Sequence, residues 1–319
     1  SDHRGPIFVL GCGRSGTTLL RLMLNSHPRI AIPGETWYFP ELHADRAIIR
    51  EWPDGEWRDR LTQRITSHPV FPELGISRST LLAELDSLSR DDWPSVVALV
   101  NLTFARTEGK PRWGDKTPGY VRCLPVIKEL FPNATVLHVI RDGRDVVLSF
   151  LEQPFGPTGI LQGADYWKAD VERGQQDGPR LFDGAYHEVR YEELVAEPER
   201  VLRDVCNVIG ESYDPAMLEY HDSAHRYLHD QQRWHDQTKS APTRGRSERW
   251  KREMARDDEA LFELAAGPLL QRLGYPLTRT HSLNAYRAWA IDRLARTWHA
   301  AVLRTKVTAY RLTHRKCFA

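Results

Sequence analysis

The sequence predicts an α/β fold, a central parallel sheet flanked by helices, and three stretches carry that prediction. Residues 6–11, "PIFVLG", are a continuous apolar run that opens into a glycine-rich loop and then a helical stripe. "ATVLHVI" at 134–140 runs into "DVVLSFL" at 145–151. "AYHEVR" at 185–190 runs into "PERVLRDVCNVIG". Each is a strand followed by a helix, and unbroken apolar strands suit a sheet covered on both faces.

In chain order, the first strand covers 6–11. Leu19, Leu20, Met23 and Leu24 then recur at helical spacing until "NSHP" stops them. A short strand is expected at Ile30–Ile32. Residues 37–110 change character, with many tryptophans, scattered prolines and amphipathic pieces. They are expected to form a helical cap inserted into one domain spanning 1–280. Residues 281–319 form a separate segment, expected as one long basic amphipathic helix. They carry eight Lys and Arg against one acid, Asp292, a net of +7; this leaves −6 on the rest of a chain whose total is +1. Ala285, Trp289, Leu294, Trp298, Val302 and Tyr310 recur there at near-helical spacing. Such a helix suits packing in a homodimer, peripheral contact with an anionic membrane, or docking on its own acidic body.

Composition narrows the classes. A chain of 319 residues that is 41% hydrophobic can bury a sizeable core. Its near-balanced charge gives no global field to hold nucleic acid. It contains no apolar run of about 18 residues, the length a transmembrane helix needs. With the first strand starting by about residue 6, no signal peptide is expected ahead of it. Cys12, Cys123, Cys206 and Cys317 lack metal-ligand spacing. They are expected to be reduced thiols of a cytoplasmic protein.

The chemistry begins in "GCGRSGTTLL". Gly11 and Gly16 have the spacing of a nucleotide-phosphate loop, and Thr18 stands where that loop places its Ser or Thr. The lysine that grips a γ-phosphate is missing; Thr17 occupies its place, and Arg14 lies inside the loop. A strand, loop and helix start still aim backbone N–H groups and the positive helix end at one anion. Arg14, Ser15, Gly16, Thr17 and Thr18 are therefore candidate binding residues, with Arg14 supplying a fixed fork of donors. A second candidate anion site lies in "VIRDGRDVVLSF", where Arg141 ends a strand and Ser149 follows inside the next helix.

Together, "GRSGTTLL" and "VIRDGRDVVLS" resemble the PAPS-dependent sulfotransferase family, in its bacterial, glutamate-base branch. The resemblance covers roughly residues 6–40 and 112–255. It implies a P-loop-like sulfotransferase fold and a donor, 3′-phosphoadenosine 5′-phosphosulfate (PAPS), with PAP as product and no metal. The first motif would cradle the 5′-phosphosulfate, and Arg141 and Ser149 would hold the 3′-phosphate. Tyr191, in "VRYEELVAEP", would help hold the nucleotide. Arg244, Gly245, Arg246 and Trp250, in "TRGRSERW", would belong to the loop that covers the 3′-phosphate and adenine. That loop departs from its commonest form by Ser-Glu between Arg246 and Trp250, which leaves open which arginine reaches the phosphate.

Sulfuryl transfer needs a base, a stabilised leaving oxygen and alignment, much as phosphoryl transfer does. Glu35, in "IPGETWYF", is the candidate base: it follows a short strand and a Pro-Gly turn, and the branches resembled here use a glutamate. Its rival is His43, which lies off the motif; His138 is expected buried in its strand. Lys116, in "RWGDKTPGY", is the candidate for the leaving oxygen, assisted by Arg14. "DKTP" is expected to open a helix, with Lys116 in a loop and Asp115 structural. The acceptor is expected to be a hydroxyl on a carbohydrate, glycolipid or other natural product. Trp37, Tyr38, Phe39, Trp52, Trp57 and Trp93 either face it or form the cap's own core. Two other readings stay open: a kinase-like phosphoryl transferase with a lysine-less loop, and a nucleotide-binding protein without catalysis.

Overall fold

The computed structural model describes residues 5–222, 247–279 and 281–295. Five strands form one sheet: β1 (Ile7–Gly11), β2 (Ile30–Ala31), β3 (Arg112–Lys116), β4 (Thr135–Ile140) and β5 (Tyr186–Arg190). Their order is β2-β3-β1-β4-β5, and every neighbouring pair is parallel. β1 is central, with Val9 opposite Lys116 on one side and Leu137 on the other. All five β1 residues are buried, which is why the sequence shows an unbroken apolar run rather than alternation.

Side chains of alternating strand positions feed two separate cores. Phe8, Leu10, Ala31 and Val136 enter one, with helices of the segment between β2 and β3. Ile7, Val9, Leu137, Val139 and Val189 enter the other. There they meet Leu20, Met23 and Leu24 of the helix Thr17–Asn25 and Val201, Leu202 and Val205 of the helix Pro198–Ile209. The segment between β2 and β3 is helical, its longest pieces being Trp57–Thr66, Arg78–Asp86 and Leu99–Thr107. Its aromatics sort themselves clearly. Tyr38, Phe39, Trp57 and Trp93 are buried, and Trp52 packs against them, whereas Trp37 is 40% exposed.

One element corrects the sequence reading. "DKTP" leads into a helical turn at Pro118, but Lys116 does not stand in a loop ahead of it. Lys116 ends β3, and a 3₁₀ turn, Pro118–Cys123, follows. "RWGDK" lacks an apolar run because its polar ends find partners inside the fold. Arg112 donates to the carbonyls of Ile209 and Gly5 and pairs with Glu211. Gly114 is also required, since a Cβ there would lie 2.5 Å from the Ile7 carbonyl oxygen.

The described residues group into two compact units. One holds those up to Asp142 and from Ala169 to Glu248, including the whole sheet; the other holds Gly143–Lys168 and those from Arg249 onward. In the second unit, Gly143 begins the helix Gly143–Leu151 and lies under Trp167 and Phe262, whose rings are 5.7 Å apart. Arg144 is fully buried there, with its guanidinium 3.4 Å from the Trp250 ring centre and 3.1 Å from Glu263.

The described part of the expected tail is helical from residue 283 to 295. Ser282 and Asn284 donate to Asp257, and Ala285 is buried, while Leu283, Tyr286, Ile291 and Leu294 are exposed. Residues 296–319, with Trp298, Val302 and Tyr310, lie outside the described residues. Among the described residues, no helix is long and apolar enough to cross a membrane.

Candidate active site

Parallel strands bring their carboxyl ends to one edge of the sheet, where ligands of such folds gather. At the end of β1 the chain turns through Gly11 (φ 144°), Arg14 (φ 67°) and Gly16 (φ 97°). Such angles favour glycine, and an arginine among them marks a tightly constrained loop. Ser15 donates its N–H to the Cys12 carbonyl at 3.2 Å. Gly16 caps the helix Thr17–Asn25, whose first turn holds the buried Thr17 and Thr18. No acid lies in that turn, so nothing in it offsets the positive helix end.

Two observations test this loop as a cradle for a phosphate-bearing donor. Ser15 is fully buried, yet its Oγ meets no hydrogen-bond partner among the described residues. A Cβ on Gly16 would overlap the Tyr191 ring, so only glycine lets the loop keep its turn with that ring packed behind it. The residues fit such a donor.

Tyr191 backs the loop in a second way. It starts the helix Tyr191–Ala196 directly after β5, and its ring lies 4.4 Å from the Arg141 guanidinium. Arg141 follows β4 and donates from Nη1 to the Arg14 carbonyl at 3.2 Å. Thus the ends of β1, β4 and β5 are joined by Arg14, Arg141 and Tyr191.

On the other side of β1, Lys116 at the end of β3 is almost wholly buried. Its Nζ donates to Glu35 Oε1 at 2.7 Å and to Thr18 Oγ1 at 3.4 Å. Burial pushes this ammonium below its ordinary pKa, and Glu35 opposes that shift. The Glu35 side chain keeps 33% of its surface exposed, so it is paired with the lysine without being sealed from solvent.

A network missing from the sequence reading fixes the Glu35 turn to β3. Asp115 Oδ2 accepts from Thr36 Oγ1 at 2.7 Å and from Asn101 Nδ2 at 3.1 Å. The Thr36 N–H donates to Thr117 Oγ1 at 3.1 Å, and the Phe39 N–H donates to Tyr120 Oη at the same distance. Burial raises the Asp115 carboxyl to about 6 despite these donors. The only sequence signal was that Thr36 and Asp115 each adjoin a candidate site residue.

The remaining candidates are placed as follows. His43 lies 3.6 Å from Glu129. His138 is fully buried beside Tyr186, its Nδ1 2.7 Å from Tyr186 Oη, and burial lowers it to about 3. Ser149 is buried on the helix Gly143–Leu151 of the second unit. Trp250, also in that unit, is buried and donates its N–H to Asp145 Oδ1 at 2.9 Å. Arg244, Gly245 and Arg246 lie outside the described residues.

Comparison with known proteins identifies the family. A family model described as "Sulfotransferase family" matches residues 6–215. The chain is 27% identical to protein-tyrosine sulfotransferase A of Caenorhabditis elegans, over 84% of this chain and 67% of that protein. It is 28% identical to a putative protein-tyrosine sulfotransferase of Caenorhabditis briggsae, over 70% and 71%. Among solved structures it is similar in fold to the sulfotransferase domain of the Synechococcus PCC 7002 olefin synthase. That match has a TM-score of 0.60, with 21% identity over 87% of this chain and 98% of that one. The sulfotransferase domain of the curacin biosynthetic pathway gives a TM-score of 0.58, with 20% identity over 87% and 100%. The family match starts at residue 6, just ahead of β1, and runs past β5, taking in all five strands of the sheet, and the chain belongs to the sulfotransferase family.

Proposed function

We propose that the protein moves the sulfuryl group of PAPS to an acceptor hydroxyl, with Glu35 as general base and Lys116 and Arg14 beside the leaving oxygen. One observation supports this most strongly. Lys116 touches both Glu35 and Thr18, so a single buried cation links the proton acceptor to the donor cradle. The donor supplies an activated sulfuryl group. Glu35 takes the acceptor proton as the new O–S bond forms, and the bridging S–O bond breaks with its electron pair on the phosphate oxygen of PAP. Lys116 and Arg14 meet the charge that develops there. Arg141 and Tyr191 support the cradle from β4 and β5, in the region that the family resemblance assigns to the nucleotide.

The experiment separates this reading from a phosphoryl transferase and from a binding protein. PAP is expected to raise the melting temperature while ATP with magnesium does not; at 100 times Kd, binding adds about 2.7 kcal/mol. Glu35→Gln is expected to keep that shift and lose roughly 10²–10⁴ in turnover, the usual size of general-base catalysis. Stabilisation by ATP–magnesium alone would favour the phosphoryl transferase. PAP binding with no turnover over a broad acceptor range would leave a binding protein.

A further inference from the structure

Of the six aromatics that could face an acceptor, five are committed to the core, and Trp37 is exposed. Its setting is unusual in three ways. Its backbone is left-handed, with φ 61°, a region that bulky residues rarely occupy and that clusters at functional sites. Its ring lies over Gly119, with two ring carbons 3.0 Å from where a Cβ would stand. It also meets Tyr120 edge-on, at 6.2 Å and 74°. The Tyr120 hydroxyl is itself held by the Phe39 N–H and lies 3.2 Å from Thr36 Oγ1. The indole is therefore supported by Gly119 and Tyr120 yet open to solvent elsewhere. It belongs to the same tethered turn as Glu35, two residues away.

Burial does not explain this arrangement, because the residue keeps 40% of its surface in water. A supported, exposed indole does offer a flat face to a ligand. We propose that Trp37 is the docking face for the acceptor, and that the accepted hydroxyl is carried on a ring whose flat side rests on the indole. This inference rests on the proposed sulfuryl transfer. Two sources share that chemistry, a phenol and a sugar. A phenol, with an ordinary pKa near 10, gives up its proton to a carboxylate far more readily than an alkanol does.

The test compares a tyrosyl peptide, a methyl glycoside and a straight-chain alcohol of similar size as acceptors with PAPS as donor. Wild-type protein is expected to prefer at least one ring acceptor over the chain alcohol in kcat/KM. Trp37→Ala is expected to cut that preference by about tenfold, the scale of one aromatic contact, while the PAP-induced thermal shift stays. Trp37→Leu, which keeps apolar bulk without the flat face, is expected to do the same and replaces the alanine variant if that fails to fold. Trp37→Phe is expected to restore most of the preference. The phenol and sugar arms show which source the site takes. An equal loss on ring and chain acceptors, or no loss, overturns the docking face while sulfuryl transfer stands. No transfer by wild-type protein to any acceptor, despite PAP binding, overturns the proposed activity and this inference with it.

Discussion

At the scale of single residues, the site is built around charges held out of water. Lys116 is buried and paired with Glu35, while Asp115, its neighbour in β3, is buried on hydrogen bonds from Thr36 and Asn101. Burial lifts Asp115 from 3.8 to about 6. The sign of the linkage follows. Stability associated with its protonated form is fully present below pH 3.8 and is lost as pH rises through about 6. Asp115→Asn, which keeps an acceptor oxygen for Thr36 and Asn101, should gain on wild type over that window. Two pKa units cap the gain at about 3 kcal/mol. Urea unfolding of both proteins at pH 4 and pH 8 checks this; a stability difference that is flat with pH contradicts it. Glu35 and Lys116 were each singled out as candidates from their local motifs. Their pairing was not, because 81 positions separate them and only the β2–β3 register sets the turn after β2 beside the end of β3.

At the scale of elements, the loop proposed as the donor cradle depends on what stands behind it. Gly16 combines a left-handed backbone with contact to the Tyr191 ring, and Tyr191 in turn carries Arg141. Gly16→Ala is expected to cost roughly 1–3 kcal/mol in backbone strain and about as much again from overpacking. Calorimetry should show PAP affinity falling as the loop shifts, and adding Tyr191→Ala should recover part of the stability. Wild-type affinity in Gly16→Ala would refute the coupling. β1, β4 and β5 were legible because buried parallel strands read as apolar runs or precede a clear helix. β3 was not, because Arg112, Asp115 and Lys116 look like loop residues until their internal partners are known. The long helix Ile160–Phe182 was also missed. Its "QGADYWKADVERGQQDGPR" is polar enough to pass for a linker, since only part of it is buried.

At the scale of the whole molecule, the helical insertion between β2 and β3 is no separate body, because its buried aromatics share one core with the sheet. Trp57, Leu61, Trp93 and Val96 belong to the same cluster as Phe8, Leu10 and Val136. Trp93→Ala should therefore cost roughly 3–5 kcal/mol, and far-UV circular dichroism and PAP binding should be lost together on denaturant titration. Loss of helix signal ahead of PAP binding would mean that the insertion unfolds alone. The central place of β1 also has a consequence in time. Its loop is made first, but the strands beside it come from residues 112–116 and 135–140, and the ring behind Gly16 is Tyr191. At 5–20 residues per second, a ribosome takes roughly 10–40 s to travel from Gly16 to Tyr191. For the larger part of that interval, until residue 140 is made, this apolar strand lacks one or both of its neighbours. The nascent protein cannot complete its cradle until Tyr191 has left the ribosome.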